Sequence, residues 1–290
     1  MRKIMKLGMI VFALVIMGCV ACSQNDDPIN NGNQNGTINA GNDPNFKIVA
    51  NSDAGMSSFN RKVVVFGIDI YAVPKVEDAK LLHAANVMAQ YLDNNEDGNV
   101  DNPKVLEEMK KNKAFLFMWY SESDMNSISP PAGRLGQDLG NAETIPNYVS
   151  GGKKGRFDAS LEEVWHIITH AGYSKAYPGV FGENAGTSLT NAMDKARGGS
   201  FTSIPNPYPT GAWYTYDDTT CTYDCQATEY FYWAMSSILG AQENRFSEIQ
   251  HEWKLNTKEK VVATDSVIFE LLTDIQYKFP SILPDGTYKR

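Results

Sequence analysis

Histidine and cysteine are scarce in this chain, with four of each in 290 residues. Any centre built from imidazole or thiolate therefore has few candidate ligands. Positive charge is in deficit: 26 Lys and Arg stand against 34 Asp and Glu, for a net charge of -8. Such a surface argues against nucleic-acid partners and against adhesion to anionic lipid through charge alone. No apolar run reaches the roughly twenty residues that a membrane-spanning helix needs. The run Leu7 to Gly18, LGMIVFALVIMG, is about twelve residues long. Internal repeats are absent as well, which excludes solenoid and propeller architectures. What remains is a globular composition, 42% apolar and 11% aromatic, on a chain long enough for a real core.

The short apolar run is preceded by Arg2, Lys3 and Lys6, with no acid, and ends at Cys19 and Cys22, which follow the small residues Gly18 and Ala21. This arrangement resembles the lipobox of bacterial lipoproteins, where cleavage falls just before a cysteine that is then acylated. Cys22 is favoured over Cys19, because cutting there discards Cys19 and leaves Cys221 and Cys225 as an even pair. The resemblance implies a signal peptide over 1–21, export, and a lipid anchor in the bacterial cell envelope, with the membrane as partner. Asp26 and Asp27 resemble the acidic signal for the outer-membrane surface. Residues 22–46 are rich in Asn, Gly and Asp and bury little, so a flexible tether is expected.

A single α+β domain is expected over 47–290: a small sheet, several helices and an inserted EF-hand-like helix–loop–helix. It divides into a calcium-loop lobe at about 47–125 and a metal-site lobe at about 150–290. RKVVVFGIDIYAV, 61–73, reads as one strand bent at Gly67, and 113–120, KAFLFMWY, as a buried strand. Helices are expected over 75–92, from Pro103 to 111, over 158–171 with Gly172 as stop, near 188–197, over 226–242, and within 263–279. Residues 121–155 read as loop.

Between the first two helices stands Asp93-Asn94-Asn95-Glu96-Asp97-Gly98-Asn99-Val100-Asp101. Calcium takes six to eight oxygens, and Asp93, Asn95, Asp97, the Asn99 carbonyl and Asp101 present them at EF-hand spacing, with Gly98 at the sharp turn. The twelfth position, where an EF-hand has a bidentate Glu, is Lys104. A weak, structural calcium site is expected, suited to extracellular calcium levels.

In Leu161-Glu162-Glu163-Val164-Trp165-His166-Ile167-Ile168-Thr169-His170, two of the four histidines stand four apart. On a helix that spacing places both on one face, about 6 Å apart along the axis, where they can share a zinc ion. The segment resembles the metal-binding helix of zincin metallopeptidases. The resemblance implies His166 and His170 as zinc ligands and, in the gluzincin manner, a third ligand from a later helix. Glu229 fits that place. Glu183 competes with it, and His83 and His251 rank lower. Ile167 occupies the place of the usual base, so Glu163 is the candidate base.

Cys221 and Cys225, four apart in an exported chain, read as a disulfide closing a small loop ahead of Glu229. The aromatic run around them, from Trp213 to Trp233, suits either a core or a groove for glycan or peptide. The order of strand, helix, DxNxDGxxD loop, EExxHxxxH helix and CxxxC resembles an uncharacterised family of exported bacterial proteins. The favoured expectation is a membrane-tethered zinc metallohydrolase of peptidase type. The competing one is a non-enzymatic surface binding protein with structural metal sites.

Overall fold

A computed structural model describes residues 45–289. The signal segment, Cys22 and the tether as far as residue 44 lie outside the described residues.

The chain forms an α+β fold around one five-stranded mixed sheet, ordered as in the sequence: β1 (Val49–Ala50), β2 (Arg61–Val65), β3 (Ile68–Ala72), β4 (Phe115–Trp119) and β5 (Gly136–Gly140). The first three strands pair antiparallel, and β3, β4 and β5 run parallel. The segment 61–73 is therefore a hairpin and not one bent strand. Phe66 and Gly67 form its two-residue turn with φ of 49° and 90°. Positive φ at both turn positions is what a twisted two-residue hairpin requires. Strand β4 is buried at every position, so it reads as a continuous apolar run rather than an alternating one. β5 falls in the stretch expected to be loop. Its GQDLG sequence has no β-branched residue, and Gly136 is there because Phe115 leaves no room: a Cβ would stand 2.4 Å from Phe115 Cζ.

Between β3 and β4 come α1 (Asp78–Leu92) and α2 (Pro103–Lys111). Pro103 opens α2, where its missing N–H costs nothing, and the Asn102 side chain accepts from Val105 N. α3 (Glu122–Ser127) precedes β5. The remaining helices are α4 (Ser160–Ile168), α5 (Ser174–Ala176), α6 (Pro178–Phe181), α7 (Ser188–Arg197), α8 (Tyr223–Ile238), α9 (Phe246–Ile249), α10 (Lys258–Thr264) and α11 (Ser266–Thr273). Among the described residues no helix is long and apolar enough to cross a membrane.

Three helices set the centre. Every residue of α4 is buried, and it packs against α1, α8 and β5. Tyr91 of α1 donates to the Leu161 carbonyl (2.9 Å), and its ring meets Trp165 at 5.1 Å. Trp165 in turn meets Phe231 of α8 edge-on at 5.6 Å. These contacts hold α4 and α8 side by side and fix which of their faces oppose.

Gly172 does not stop the helix. α4 runs on through a widened π-helical turn, Thr169–Tyr173, into α5. The glycine is needed because α2 lies against it: a Cβ there would stand 2.6 Å from Val105 Cγ1. Close approach, and not termination, explains this residue.

Candidate metal centre

Glu162 and His166 stand one turn apart on α4, and Glu229 faces them from α8. One donor atom from each lies within 4.8 Å of the others, and all three side chains are buried. His166 Nε2 is 3.7 Å from Glu229 Oε2, and His166 Nδ1 is 3.5 Å from Glu163 Oε2. Both separations exceed hydrogen-bond length. Two zinc ligands at about 2.0–2.1 Å in tetrahedral geometry lie roughly 3.4 Å apart, so the His166–Glu229 spacing is close to that of a ligand pair.

Both ring nitrogens of His166, both carboxylate oxygens of Glu229 and Glu162 Oε1 are buried without a hydrogen-bond partner. An unpaired buried polar atom costs about 1–3 kcal/mol, and more when charged. One donor atom from each of the three residues could bind a divalent cation held between them, which would satisfy several of these atoms at once. Burial pushes the Glu229 carboxyl well above the usual carboxylate range; His166 opposes this, and Glu162, Glu163 and Glu252 add to it. Glu252 is likewise pushed up to about 8, chiefly by burial. So much carboxylate around one imidazole is a poor arrangement for a protein core and a good one for a cation.

Supporting side chains orient the cluster. Gln137 of β5 donates to Glu163 Oε2 at 2.7 Å. The ring of Tyr232 meets His166 edge-on at 5.5 Å, and its hydroxyl accepts from Gln242 Nε2 at 2.9 Å. The Tyr232 hydroxyl also interacts with Glu162. Glu162 and Glu163 also line an open cleft of about 660 Å³, while His166 and Glu229 are fully buried.

The other residues singled out by sequence are placed as follows. His170 lies apart from the cluster. Its Nδ1 pairs with Glu183 Oε1 at 2.7 Å, which also accepts from Thr228 Oγ1 at 3.0 Å. The physical reason is its partner: the His170 ring is held by the buried Glu183 carboxylate. Glu183 is thus His170's partner. His83 pairs with Asp158 at 2.7 Å, and His251 is exposed beside Glu252. Glu162 is the residue that sequence reasoning passed over, although it has the same four-residue spacing to His166 that His170 has.

Asp93, Asn95, Asp97, Asn99 and Asp101 occupy a tight loop between α1 and α2, with Gly98 at φ 88°. Asp93 accepts from Asp97 N (3.2 Å) and Gly98 N (2.8 Å), and Asp101 accepts from Asn94 N (2.7 Å). The C-terminal segment closes over this loop. Asn94 Oδ1 accepts from Ser281 N and Ile282 N, both at 2.9 Å, and the Tyr288 hydroxyl donates to Asp93. Burial raises the Asp101 carboxyl above its ordinary range, although the Asn94 N–H opposes this; the Asp93 and Asp97 charges add to the rise.

Cys221 and Cys225 form a disulfide, with Cα atoms 5.3 Å apart, at the entry to α8. Glu229 follows Cys225 by about one turn. The aromatic run is core: Tyr214, Tyr216, Tyr230, Phe231, Tyr232 and Trp233 are all at most 3% exposed. The disulfide closes a very short loop, so chain-entropy reasoning gives it about 2 kcal/mol. Replacing both cysteines by serine should lower stability by that amount in urea unfolding at pH 7. A loss several times larger would mean that the bridge holds native packing and does not merely restrict the unfolded chain.

No family model matches the chain, and no curated protein or solved structure matches it.

Proposed function

We propose that this protein is a metallohydrolase of peptidase type with a zincin-like centre, exported and tethered by a lipid anchor. The observation that carries this reading is the approach of unpaired, buried donor atoms from Glu162, His166 and Glu229 to within 4.8 Å of one another, with Glu162 and Glu163 also lining an open cleft. Three protein donors is the number of a catalytic metal, whereas a structural zinc is closed by four protein ligands.

The spacing also supports it. In H-E-x-x-H helices, the base directly follows the first ligand, and the second ligand comes four residues after the first. Glu162-Glu163-Val164-Trp165-His166 has that spacing with Glu162 in place of the first His. Glu163 then takes the place of the base, and Glu229 supplies the ligand from a later helix. This shift of four residues removes the difficulty posed by Ile167. A divalent metal held here would act as a Lewis acid toward a water and a substrate carbonyl. Glu163, oriented by Gln137, takes a proton and returns it to the leaving amine.

Hydrolysis of a mixed peptide pool by the zinc-loaded full-length chain tests the proposal. Cleavage should stop with a chelator and return with zinc. A chain that binds zinc and cleaves nothing would leave a structural metal and the surface-binding reading.

We also propose calcium as a structural ion at Asp93, Asn95, Asp97, Asn99 and Asp101. Millimolar calcium should raise the melting temperature by a few degrees. Asp97→Ala should abolish that rise, at little cost to the calcium-free protein because Asp97 is exposed. An equal rise in both proteins would count against the site.

A further inference from the structure

His170 and Glu183 stand outside the proposed metal centre, and three separate elements bring them together with Thr228. His170 lies in the π-helical turn Thr169–Tyr173, and single wide turns of this kind occur frequently at functional sites. Ser174 Oγ donates to the His170 carbonyl at 2.6 Å and fixes the backbone there. Glu183 is delivered by the turn after α6, which closes because residue 182 is glycine: a Cβ there would stand 2.2 Å from the Pro178 carbonyl oxygen. Thr228 comes from α8. Its hydroxyl and His170 Nδ1 both bond Glu183 Oε1, at 3.0 and 2.7 Å.

A carboxylate only accepts, so the proton of the neutral imidazole sits on Nδ1 and the lone pair on Nε2. Among the described residues Nε2 is neither hydrogen-bonded nor enclosed. The ring is only 7% exposed, and it lines an open cleft of about 550 Å³. This cleft shares no residue with the one beside Glu162 and Glu163. Its charges nearly cancel. The carboxylates of Glu108, Glu183 and Asp224 are set against the ammonium groups of Lys111 and Lys175. Lys111 pairs with Glu108 at 3.1 Å, and Lys175 lies 3.9 Å from Glu183. With no strong excess of either sign, the lining suits an uncharged ligand better than an ion.

We infer that His170 is the general base of a second, metal-independent hydrolytic site, which takes an uncharged ester. The reaction class follows from what one base can supply. A positioned imidazole acting as general base is worth about 10²–10⁴ in rate, which suits an ester and falls far short of what peptide hydrolysis requires. Nε2 takes a proton from a water whose oxygen bonds to the acyl carbon. The bond from that carbon to the alcohol oxygen then breaks, and Nε2 returns the proton to the alkoxide. Glu183 is a positioning residue: it holds the tautomer and balances the charge of the imidazolium. The inference is independent of the metallohydrolase reading.

The test uses the full-length chain carrying His251→Gln, which removes the one well-exposed imidazole. Multiple-turnover hydrolysis of p-nitrophenyl acetate is followed with a zinc-selective chelator present. His170→Gln and Glu183→Gln should each lower it by about tenfold or more, with the melting temperature of Glu183→Gln unchanged. A purely structural pair would lower the melting temperature and leave hydrolysis by the folded fraction as it was. Diethyl pyrocarbonate gives a second measurement that needs no change at His170. It should acylate His170 ahead of the more enclosed His83 and His166, with hydrolysis lost in step. Hydrolysis unchanged in His170→Gln, or a His170 that the reagent spares, overturns the inference. Hydrolysis that vanishes with the chelator also overturns it and assigns the activity to the metal centre.

Discussion

Zinc added to the metal-stripped, full-length chain should bind at about one ion per chain and raise the melting temperature by roughly 5–10 °C. The size follows from linkage: a ligand at a hundred times its dissociation constant stabilises by about 2.7 kcal/mol, and each kcal/mol moves a domain of this size by about 2–4 °C. Four alanine variants locate the site. His166→Ala, Glu162→Ala and Glu229→Ala should each lose the ion, because each removes one of the three converging donors. His170→Ala should keep it, because His170 is committed to Glu183. The two registers of the helix motif part on this variant. If His170→Ala loses zinc as fully as His166→Ala does, the ligand pair is the two histidines and the Glu162 register is wrong. A second sign accompanies the first. Without metal, both carboxyl oxygens of Glu229 are unpaired in the core. Glu229→Gln should then make the metal-free chain no less stable than the wild type, while abolishing the zinc-dependent gain. A structural hydrogen-bonding role for Glu229 would give the opposite result.

The elements that carry the centre are legible in the sequence wherever local signals decide them. Pro103 after Asn102, the apolar period of α1, and Gly98 in its Asp- and Asn-rich loop all act within a few residues, and each lies where expected. Glu229 was placed by its position after Cys225, at the start of a helix that the disulfide anchors. What could not be read depends on partners distant in sequence. The π-helical turn at 169–173 arises where Gly172 lets α2 approach, and nothing within the segment announces Val105 or Met109.

The same distinction explains the hairpin and β5. A Phe66-Gly67 turn is a weaker signal than Asn-Gly, and the strands on either side of it are apolar and β-branched enough to read as one run. β5 is a strand because Phe115 and Leu116 of β4 pair with it, and its own residues carry almost no strand preference. Glu162 was passed over for a related reason. A histidine pair draws the eye as a ligand set, and an acid one turn earlier resembles a solvated face. Only the burial of Glu162 and the approach of α8 distinguish the two readings.

Glu163→Gln should retain about one zinc per chain and lose 10²–10⁴-fold in kcat/KM toward a cleaved peptide, with most of the loss in kcat. The amide is close in size to the carboxylate and can keep an oxygen toward Gln137 Nε2, so the helix and the cluster should stay in place. What it cannot do is take up a proton. The expected split is therefore specific: metal content and peptide affinity preserved, turnover lost. Glu229→Gln should lose both, since it removes a donor. Gln137→Ala should fall between, with a loss of about tenfold or more, because it frees the Glu163 carboxylate without deleting it. Each variant isolates one link, from the metal through the base to the residue that aims the base. A merely structural role for Glu163 would lower stability and turnover together in Glu163→Gln and in Gln137→Ala. If Glu163→Gln turns over at the wild-type rate with zinc in place, the proton passes elsewhere, and the argument from its place after the first ligand fails even if the metal site stands.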